Sequence, residues 1–380
     1  MPKLLSMATS PDVIIIGGGL AGLAGAIHLS KRGLKVTVIE KSGYPSHKVC
    51  GEYISNEILP YLKWLGADIS QLQPTNITNF EFTARNGKTA RAKLPLGGFG
   101  ISRYALDEHL YQIAIANDCT LLEETVSNIS FTNDIFTVIT SKHSLSSKIV
   151  LGAYGKRSNI DQVLSRDFIH KKSPWLAVKA HYSGNFPNDV VALHNFNGGY
   201  CGISKVENNT INICYLADYA TFKKYKNIDD YQRNVLYKNK HLKLILENAT
   251  PFFDKPLTIS QISFDKKLPV ENHILMIGDT AGLIHPFCGN GMAMALHSAK
   301  ISAELVLDYY IGKLSRQALE KTYTQRWEKH FSKRLFMGRI LAKLLHNKTA
   351  TNAFVALTAT IPSLLPLLIK QTHGKPIAID

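Results

Sequence analysis

The chain has 380 residues, of which 45% are hydrophobic and 19% are charged, a composition typical of a folded globular protein. This composition excludes a disordered acidic chain, a collagen-like repeat and a miniature protein held together by disulfides. The 44 lysine and arginine residues outnumber the 29 aspartate and glutamate residues, so the formal net charge is +15. Such an excess is compatible with nucleic acid, an anionic membrane or an acidic partner, and composition does not choose among them.

The predicted elements of the first half begin with a βαβ unit. An apolar run over 12–16 is typical of a buried parallel strand, a helical pattern follows over 20–32, and a second strand covers 35–39. Further predicted elements are a helix over 55–65, a hairpin over 80–94 around Asn86-Gly87, a helix over 103–117 and strands over 119–151.

The second half is predicted to contain a sheet followed by helices. Residues 175–213 are strand-like with many Gly and Asn turns, as in an antiparallel sheet, and residues 221–247 are polar, basic and helical. Residues 273–277 again have the pattern of a buried parallel strand, and the pattern from 292 onward is mainly helical. Because parallel-type strands flank the antiparallel region, we expect the second domain to be inserted into the first.

The cysteines and the termini indicate a cytoplasmic protein. The five cysteines are an odd number without a C-x-x-C pair, and the histidines lack metal-ligand spacing, so neither a disulfide framework nor a metal site is expected. Residues 1–10 are too short and too weakly apolar for a signal peptide. Residues 353–369 carry no charge, but they are short for a membrane span and are interrupted by Pro362 and Pro366. They are predicted to form two short buried helices or a hairpin that faces a membrane.

The glycine-rich turn of the βαβ unit has the spacing of a dinucleotide-binding loop. Gly17, Gly19 and Gly22 match G-x-G-x-x-G directly after a strand and at the start of a helix. The first glycine permits a tight turn, the second lets the backbone approach a pyrophosphate, and the third lets the helix pack close to the strand. Glu40 ends the next strand, where a carboxylate accepts hydrogen bonds from ribose hydroxyls, so FAD or NAD is favoured over NADP.

A downstream segment over 273–300 distinguishes between these cofactors. Its turn residues are Gly278, Asp279, Pro286, Gly289, Asn290 and Gly291. The segment resembles the FAD-binding segment of the p-hydroxybenzoate-hydroxylase-like flavoproteins, a superfamily that includes geranylgeranyl reductases, aromatic hydroxylases and flavin halogenases. The resemblance implies that Asp279 binds the ribityl chain of FAD, that Pro286 lies near the flavin ring, and that the amides of Gly289–Gly291 face the flavin N1–C2=O edge. A helix N-terminus there stabilises the negative charge of a reduced flavin.

Two further motifs extend the resemblance, most closely to the geranylgeranyl reductases. Residues 101–110 resemble the family's Arg-x-x-x-(x)-Asp-x-x-Leu helix, which implies that Arg103 contacts the FAD phosphate or ribityl region; a solvated arginine at a helix start is the alternative. Residues 48–52, Lys-Val-Cys-Gly-Glu, resemble the Cys-Gly-Gly segment of the reductases and partly the Gly-Glu segment of the halogenases. Lys48 is accordingly a cofactor-binding candidate. Cys50 is a catalytic candidate near the flavin, although a buried inert thiol fits it equally well.

Two more catalytic candidates come from less specific matches. Residues 198–204 resemble the Tyr-Gly-Trp strand that faces the flavin in the reductases, but the tryptophan is replaced or absent. Tyr200 is therefore either a site residue or part of the packing of the sheet. His285 directly precedes Pro286 in the FAD-binding segment and is the third candidate.

The element order and the resemblance together predict an α/β fold. A Rossmann-like FAD-binding domain is expected, with an inserted antiparallel-sheet substrate domain and a helical C-terminal region. The FAD-binding domain is assigned to residues 1–65, 101–160 and 266–310, the substrate domain to 66–100 and 161–265, and the helical region to 311–380.

The sequence departs from the superfamily pattern at two points. Tyr154 stands where aromatic hydroxylases have the aspartate of an Asp-Gly motif that is linked to NAD(P)H handling, although Lys156 and Arg157 could still meet a phosphate. There is no second nucleotide loop for nicotinamide, so NAD(P)H is expected at most as a transient reductant and the electron donor stays open. The Trp-x-Trp-x-Ile-Pro motif of the halogenases is absent, which disfavours halogenation.

Most of the positive charge lies in two segments with helical patterns. Residues 321–348 contain eight basic residues and one acidic residue, and residues 221–243 contain seven basic and two acidic residues. In the first segment apolar residues recur at helical spacing, as in a helix that lies on an anionic membrane or one that packs on the core with a solvated basic face. No nucleic-acid-binding motif accompanies the charge, so nucleic acid is not expected. A peripheral membrane contact or an acidic carrier protein is the expected partner.

Three functions are compatible with these residues. The leading hypothesis, implied by the resemblance to geranylgeranyl reductases, is an FAD-dependent oxidoreductase that reduces a C=C bond of an apolar small molecule. The alternative is a flavin monooxygenase that hydroxylates a phenolic or polyketide-type lipid, which needs only a dry pocket and a positioned substrate. A third hypothesis is an isomerase, cyclase or binding protein that uses FAD without net redox chemistry. The expected location is the cytoplasm, with or without peripheral membrane contact.

Overall fold

The computed structural model describes residues 5–6, 10–361 and 363–379. Most of the segment considered above for a signal peptide, and Pro362, lie outside the described residues. The strands are, in chain order, β1 (Leu5–Ser6), β2 (Val13–Ile16), β3 (Val36–Glu40), β4 (Tyr53–Ser55), β5 (Thr75–Thr83), β6 (Thr89–Gly100), β7 (Thr120–Glu123), β8 (Val126–Thr132), β9 (Ile135–Thr140), β10 (His143–Ser147), β11 (Ile149–Gly152), β12 (Trp175–Ser183), β13 (Val190–Phe196), β14 (Gly199–Lys205), β15 (Ile211–Asp218), β16 (Thr250–Pro251), β17 (Leu257–Ser260), β18 (Val270–Glu271) and β19 (Ile274–Met276). The α-helices are α1 (Leu20–Ser30), α2 (Leu59–Leu65), α3 (Arg103–Ala116), α4 (Asn159–Val163), α5 (Tyr219–Phe222), α6 (Ile228–Asn234), α7 (Lys240–Glu247), α8 (Gly291–Tyr310), α9 (Arg316–His346), α10 (Lys348–Thr360) and α11 (Leu364–Thr372).

The predicted βαβ unit is the centre of a six-stranded sheet with the order β18-β19-β11-β2-β3-β7. All neighbouring strands are parallel except β18, which adds an antiparallel edge. The four side chains of β2 are at most 4% exposed, which requires that both faces of the sheet are covered. Burial of each such side chain contributes roughly 1.5–3 kcal/mol. A four-stranded sheet, β1-β10-β9-β8, contributes Phe136, Val138 and Leu145 to the same hydrophobic core.

A larger sheet forms the second part of the fold, with the order β16-β12-β15-β14-β13-β5-β6-β4 and β17 also paired with β12. The hairpin predicted around Asn86-Gly87 connects β5 and β6, and Gly87 has the positive φ of +83° that its turn needs. The sheet is mainly antiparallel as predicted, but β13 and β5 pair in parallel. Because the β5–β6 hairpin comes from much earlier in the chain, a crossover and not a hairpin connects it to β13. The predicted α/β class is thus confirmed; the domain boundaries stay a prediction.

The basic region over 221–247 is mainly helical, as predicted, and its α-helices are the end of α5 together with the short helices α6 and α7. Asn227 and Asn239 interrupt the pattern because their side chains cap α6 and α7. Oδ1 of Asn227 accepts the N–H of Asp230, and Oδ1 of Asn239 accepts the N–H of His241.

The C-terminal helices pack on the rest of the fold. Helix α9 buries one side, which includes Tyr323, Trp327 and Phe331, and leaves basic residues on the other side exposed. The uncharged segment 353–369 forms most of α10 and α11, which contact β6 and α9. No helix in the described part of the chain is both long and apolar enough to cross a membrane. These helices join the larger sheet in a separate hydrophobic cluster, next to which the candidate site lies.

Candidate functional site

The turn between β2 and α1 has the geometry that its glycine spacing predicts. Gly17 has a φ of +103°, and a Cβ atom there would clash with the carbonyl oxygen of Ala153. A Cβ atom at Gly22 would clash with the carbonyl oxygen of Gly17, so only glycine lets the helix approach this closely. At Gly19 a Cβ atom would meet only Nη2 of Arg103, at 3.4 Å. The space in front of Gly19 is therefore open to a ligand.

Glu40 at the end of β3 stabilises this turn through hydrogen bonds to backbone N–H groups. Its Oε2 accepts a hydrogen bond from the N–H of Gly18 at 2.8 Å, and its Oε1 accepts one from the N–H of Ser42 at 3.3 Å. Each carboxylate oxygen keeps a lone pair with which a ribose hydroxyl could bond. Tyr44, which no sequence motif singled out, donates to the carbonyl oxygen of Gly18 at 2.5 Å and stacks on Tyr111.

Arg103 begins α3 and lies beside the glycine turn. It donates to both carboxylate oxygens of Asp107, with an Nε–Oδ1 distance of 2.6 Å and an Nη2–Oδ2 distance of 2.7 Å. Burial opposes the charge of the guanidinium, but the Asp107 carboxylate outweighs burial and raises the pKa of Arg103. Arg103 is thus a fixed cation where a phosphate is expected. Lys48 is half-buried, and its charge acts on the Asp107 carboxylate, but it does not line the cavity described below.

The Gly278-Asp279 turn follows β19 and lines that cavity. The carboxylate of Asp279 makes no hydrogen bond with the described residues, so it is available to a ligand hydroxyl. Lys267 holds the turn from behind, because its Nζ donates to the carbonyl oxygens of Asp279 at 3.0 Å and Lys156 at 3.2 Å. Burial lowers the pKa of Lys267 to about 8. Lys267 was not among the predicted site residues, because nothing in its local sequence pattern marks it.

Helix α8 begins at Gly291 beside the same cavity. The preceding residue, Asn290, does not cap the helix with its side chain. Its Nδ2 donates to Oε1 of Glu57 at 3.0 Å, and its Oδ1 accepts from Nη1 of Arg334 at 2.9 Å. The first amides of α8 therefore remain free of a side-chain cap, as do those of α1 behind Gly19.

These features fit FAD. Two helix N-termini without side-chain caps open on one cavity, and each carries about half a positive charge. The pyrophosphate would bind at α1 beside Arg103, a ribityl hydroxyl would bind Asp279, and the anionic edge of the flavin would face the Gly289–Gly291 turn. Pro286 is exposed and lines the cavity next to this turn. The contacts of individual cofactor atoms stay predictions.

Cys50 lies in the wall of the cavity next to the start of α8. Its Sγ is 3.6 Å from Sδ of Met292, the second residue of that helix. The turn that carries the thiol is held from behind, because Nδ2 of Asn212 donates to the carbonyl oxygen of Gly51 at 2.8 Å and Nζ of Lys156 donates to that of Val49 at 2.8 Å. Lys156 thus supports this turn. The thiol is only partly buried, and it is presented to the cavity.

Glu52 anchors the same turn, although it was not among the predicted site residues. It is fully buried with a φ of +53°, and it accepts hydrogen bonds from Nζ of Lys179 at 2.7 Å and from the N–H of Arg103 at 2.9 Å. Nε2 of His181 lies 2.6 Å from its other oxygen. Burial works against the ionised form, but the His181 hydrogen bond and the Lys179 charge outweigh it and lower the pKa of Glu52. The motif over 48–52 includes Glu52 but does not reveal this role, because the partner Lys179 on β12 is 127 residues away in the chain.

The other two catalytic candidates occupy different environments. Tyr200 lines the cavity, burial raises its pKa, and its buried hydroxyl makes no hydrogen bond of normal geometry with the described residues. His285 stacks on Phe264 with ring centroids 4.5 Å apart, and neither ring nitrogen has a partner in the described part of the chain. Burial lowers the pKa of His285 to about 3, so the ring is neutral, and it does not line the cavity. This placement favours packing over proton transfer for His285, whereas Tyr200 stays a candidate.

The cavity has a volume of about 280 Å³ and apolar walls on the side away from the glycine turn. The larger sheet contributes Phe80, Phe82, Val191 and Leu193 to these walls, and the C-terminal helices contribute Leu341, Leu345, Phe354, Leu365, Leu368 and Ile369. Residues 353–369 therefore belong mainly to helices whose inner side lines the cavity, and contact of their outer side with a membrane stays a prediction. An apolar molecule in this cavity would lie next to the proposed flavin ring.

The sequence model of FAD-dependent oxidoreductases matches residues 12–64, which include the glycine turn and Glu40. The chain is 25% identical over 371 residues to conditioned medium factor receptor 1 of Dictyostelium discoideum, a match that covers 88% of this chain and 71% of that protein. It is 23% identical over 381 residues to a digeranylgeranylglycerophospholipid reductase of Methanococcus vannielii, covering 94% of this chain and 92% of that protein. Among solved structures, the flavin-dependent brominase Bmp2 superposes with a TM-score of 0.79 at 17% identity, over 96% of this chain and 94% of that one. This last likeness shows a shared fold.

Proposed function

We propose that this chain, an FAD-dependent oxidoreductase similar to the p-hydroxybenzoate-hydroxylase-like superfamily and with FAD as its cofactor, reduces a carbon–carbon double bond in an apolar substrate. The observation that carries the proposal is the position of the Cys50 thiol, at the point where the apolar cavity meets the start of α8. The Methanococcus vannielii relative is named a reductase of a digeranylgeranylglycerophospholipid, and a substrate with long apolar chains suits these walls.

The reaction needs a hydride for one alkene carbon and a proton for the other. When bound, reduced FAD would supply the hydride. Sγ of Cys50 gives its proton to the second carbon and keeps the electron pair of the S–H bond, and solvent later returns a proton to the sulfur. The turn that carries the thiol is fixed for this step. Asn212 donates to the carbonyl oxygen of Gly51, and Glu52 pairs with Lys179. The apolar walls exclude water from the reacting carbons.

The side chains around the cofactor have supporting roles. Arg103 and the N-terminus of α1 would hold the pyrophosphate, and Asp279 would orient the ribityl chain. The free amides at the start of α8 would stabilise the negative charge of a bound reduced flavin. NAD(P)H as a transient ligand is the proposed electron donor.

The product distinguishes this proposal from its alternatives. Purified holoprotein is incubated without oxygen with NADH or NADPH and an isoprenoid lipid, and the product is analysed by mass spectrometry. Reduction adds two hydrogen atoms for each double bond, whereas a monooxygenase, assayed with oxygen on a phenolic lipid, adds one oxygen atom. A product of unchanged mass with a moved double bond or a new ring would support the non-redox hypothesis. Either of these last two results would contradict the proposal.

A cysteine variant tests the assigned proton donor. Cys50→Ala should retain FAD but lose about two orders of magnitude or more in the rate of C=C reduction, since general acid catalysis contributes roughly that much. Cys201→Ala is the matched control, because Cys201 is fully buried in the core on the other face of the larger sheet. Equal rates for Cys50→Ala and Cys201→Ala would exclude Cys50 as the proton donor.

A further inference from the structure

The segment that covers the cavity has an unusual charge distribution. Residues 329–379 contain eight basic residues and no acidic residue. One of the eight, Arg334, is buried in an ion pair with Glu57, and the other seven, all lysine or arginine, are exposed. From residue 329 onward, the outer side of the C-terminal helices therefore carries only positive charge.

Large apolar side chains lie exposed within this positive surface. They are Phe336, Ile340, Leu357, Ile361 and Leu367, which are 42–55% exposed. On α9, Phe336 and Ile340 are one helical turn apart, on the side opposite the buried Phe331. At 100° per residue, Lys329, Lys333 and Lys343 lie on the same side as these two residues, and all three are exposed.

We propose that the outer face of α9, α10 and α11 is a docking surface for an anionic lipid bilayer. A helix face with aromatic and aliphatic side chains among lysines is typical of helices that lie in a membrane interface. Each lysine near an anionic surface contributes roughly 1 kcal/mol, and the exposed apolar side chains add the free energy of their burial in lipid. A face that served only for solvation would not need exposed phenylalanine, isoleucine and leucine.

The charge argues against the other occupants of this face. A second copy of the chain would bring two positive surfaces together, and like charges repel. An acidic protein would satisfy the charge. However, the exposed apolar side chains are spread over three successive helices. A membrane plane could contact all of them at once, whereas a single protruding element of a partner protein would contact only some.

The docking surface adjoins the cavity. A groove of about 980 Å³ beside α9 and α11 is lined by Lys329, Lys370 and Lys375. It shares the wall residues Tyr53, Leu94, Ile369 and His373 with the cavity. Docking would place this groove against the lipid, so that an apolar substrate could pass from the bilayer toward the cavity without crossing water. The substrate route rests on the proposed function, whereas the docking surface does not.

Vesicle sedimentation of the full-length holoprotein tests the docking surface. Vesicles contain either equal parts phosphatidylcholine and phosphatidylglycerol or phosphatidylcholine alone. The protein should sediment with the anionic vesicles, and the bound fraction should fall as salt screens the lysines. The triple variant Lys329→Gln/Lys333→Gln/Lys343→Gln should bind about fivefold more weakly for each lysine removed. The matched control is Lys223→Gln/Lys224→Gln/Lys226→Gln, which removes three exposed lysines elsewhere and should bind like the wild type.

A second pair of variants tests the apolar part. Leu367 is 55% exposed on the proposed surface, and Leu244 is 67% exposed on α7. Leu367→Ser should lower binding to anionic vesicles several-fold, also at high salt, whereas Leu244→Ser should have no effect. Flavin absorbance and the unfolding midpoint show that both variants are folded.

The proposal is overturned by several outcomes. One is that the wild-type protein does not bind anionic vesicles. Another is that both triple variants bind these vesicles more weakly than the wild type and to the same extent. A wild-type dimer that the α9 substitutions turn into a monomer would assign the face to a second copy. Binding of an acidic carrier protein in place of vesicles would assign it to a protein partner. Reduction of detergent-dispersed lipid is measured separately, so failure of the proposed function leaves the vesicle result intact.

Discussion

Arg334 on α9 donates through Nη1 to Oδ1 of Asn290 at 2.9 Å and so ties the C-terminal helices to the start of α8. The same nitrogen is 3.2 Å from Oε1 of Glu57, which also accepts from Nδ2 of Asn290. The other oxygen of Glu57 accepts the N–H of Gly374. A buried ionic cluster therefore holds the residue that precedes the free amides of α8, and the remote helix α9 supports the cofactor site.

Arg334→Met should lower the free energy of unfolding by about 3–5 kcal/mol, because it leaves the Glu57 carboxylate buried without its counter-charge. Urea unfolding measures this. Arg326→Met is the control, since Arg326 is 47% exposed and 3.8 Å from Glu304, so its removal should cost less than about 1 kcal/mol. Adding Glu57→Gln to Arg334→Met should restore part of the loss, and no restoration would contradict the ionic explanation.

Gly19→Ala should fold but lose most of its FAD. The new Cβ atom would meet only Nη2 of Arg103 at 3.4 Å, yet it would occupy the space that a pyrophosphate needs. The ratio of flavin to protein absorbance after purification is the measurement. Gly25→Ala in α1, the helix that follows Gly19, serves as the control, because its Cβ atom would make ordinary contacts at 3.7–3.8 Å. Equal FAD content in the two variants would rule out the assigned role of Gly19.

Asp279→Asn should raise the dissociation constant for FAD by about 10–100-fold, since a charge-assisted hydrogen bond contributes roughly 1.5–3 kcal/mol. The stability of the apoprotein should hardly change, because the carboxylate makes no hydrogen bond with the described residues and Lys267 binds only the backbone. Fluorescence titration of the apoprotein with FAD gives the constant. An unchanged constant would remove Asp279 from the cofactor site.

His285→Phe should make the protein less sensitive to acid. Burial lowers the pKa of His285 from 6.5 to about 3. At pH values between these two pKa values, His285 is protonated in the unfolded chain but stays neutral in the folded chain. The folded state is therefore fully favoured above about pH 6.5 and loses stability as the pH falls, by about 2 kcal/mol at pH 5. The variant lacks this contribution and should gain about 2 kcal/mol relative to the wild type between pH 7 and pH 5, as measured by urea unfolding.

The activity of the same variant separates the two roles considered for His285. Phenylalanine should fit the cluster around Phe264 and keep FAD and turnover if the ring only packs. Loss of turnover with normal FAD content would show that a neutral imidazole has a catalytic function.

Local patterns predicted the elements well. The run of β-branched residues in β2, the Asn86-Gly87 turn and the two glycine segments each depend on residues close together in the chain. The region over 221–247 was predicted as helical without internal boundaries, because the pattern does not reveal that the Asn227 and Asn239 side chains cap new helices. The parallel pairing of β13 with β5 was also missed, since strand pairing across the chain has no local signal.

The sequence by itself determined that the cofactor is a dinucleotide and which residues form the glycine turn, because a backbone that must approach a pyrophosphate leaves its requirement in the spacing of Gly17, Gly19 and Gly22. Only the tertiary structure decided what supports that site. Glu52 meets Lys179 across 127 residues, Asn290 turns its side chain to Arg334, and the uncharged C-terminal segment becomes a cavity wall. Burial explains the difference: a buried charge or apolar surface must find a complementary partner, and the fold supplies that partner from any part of the chain.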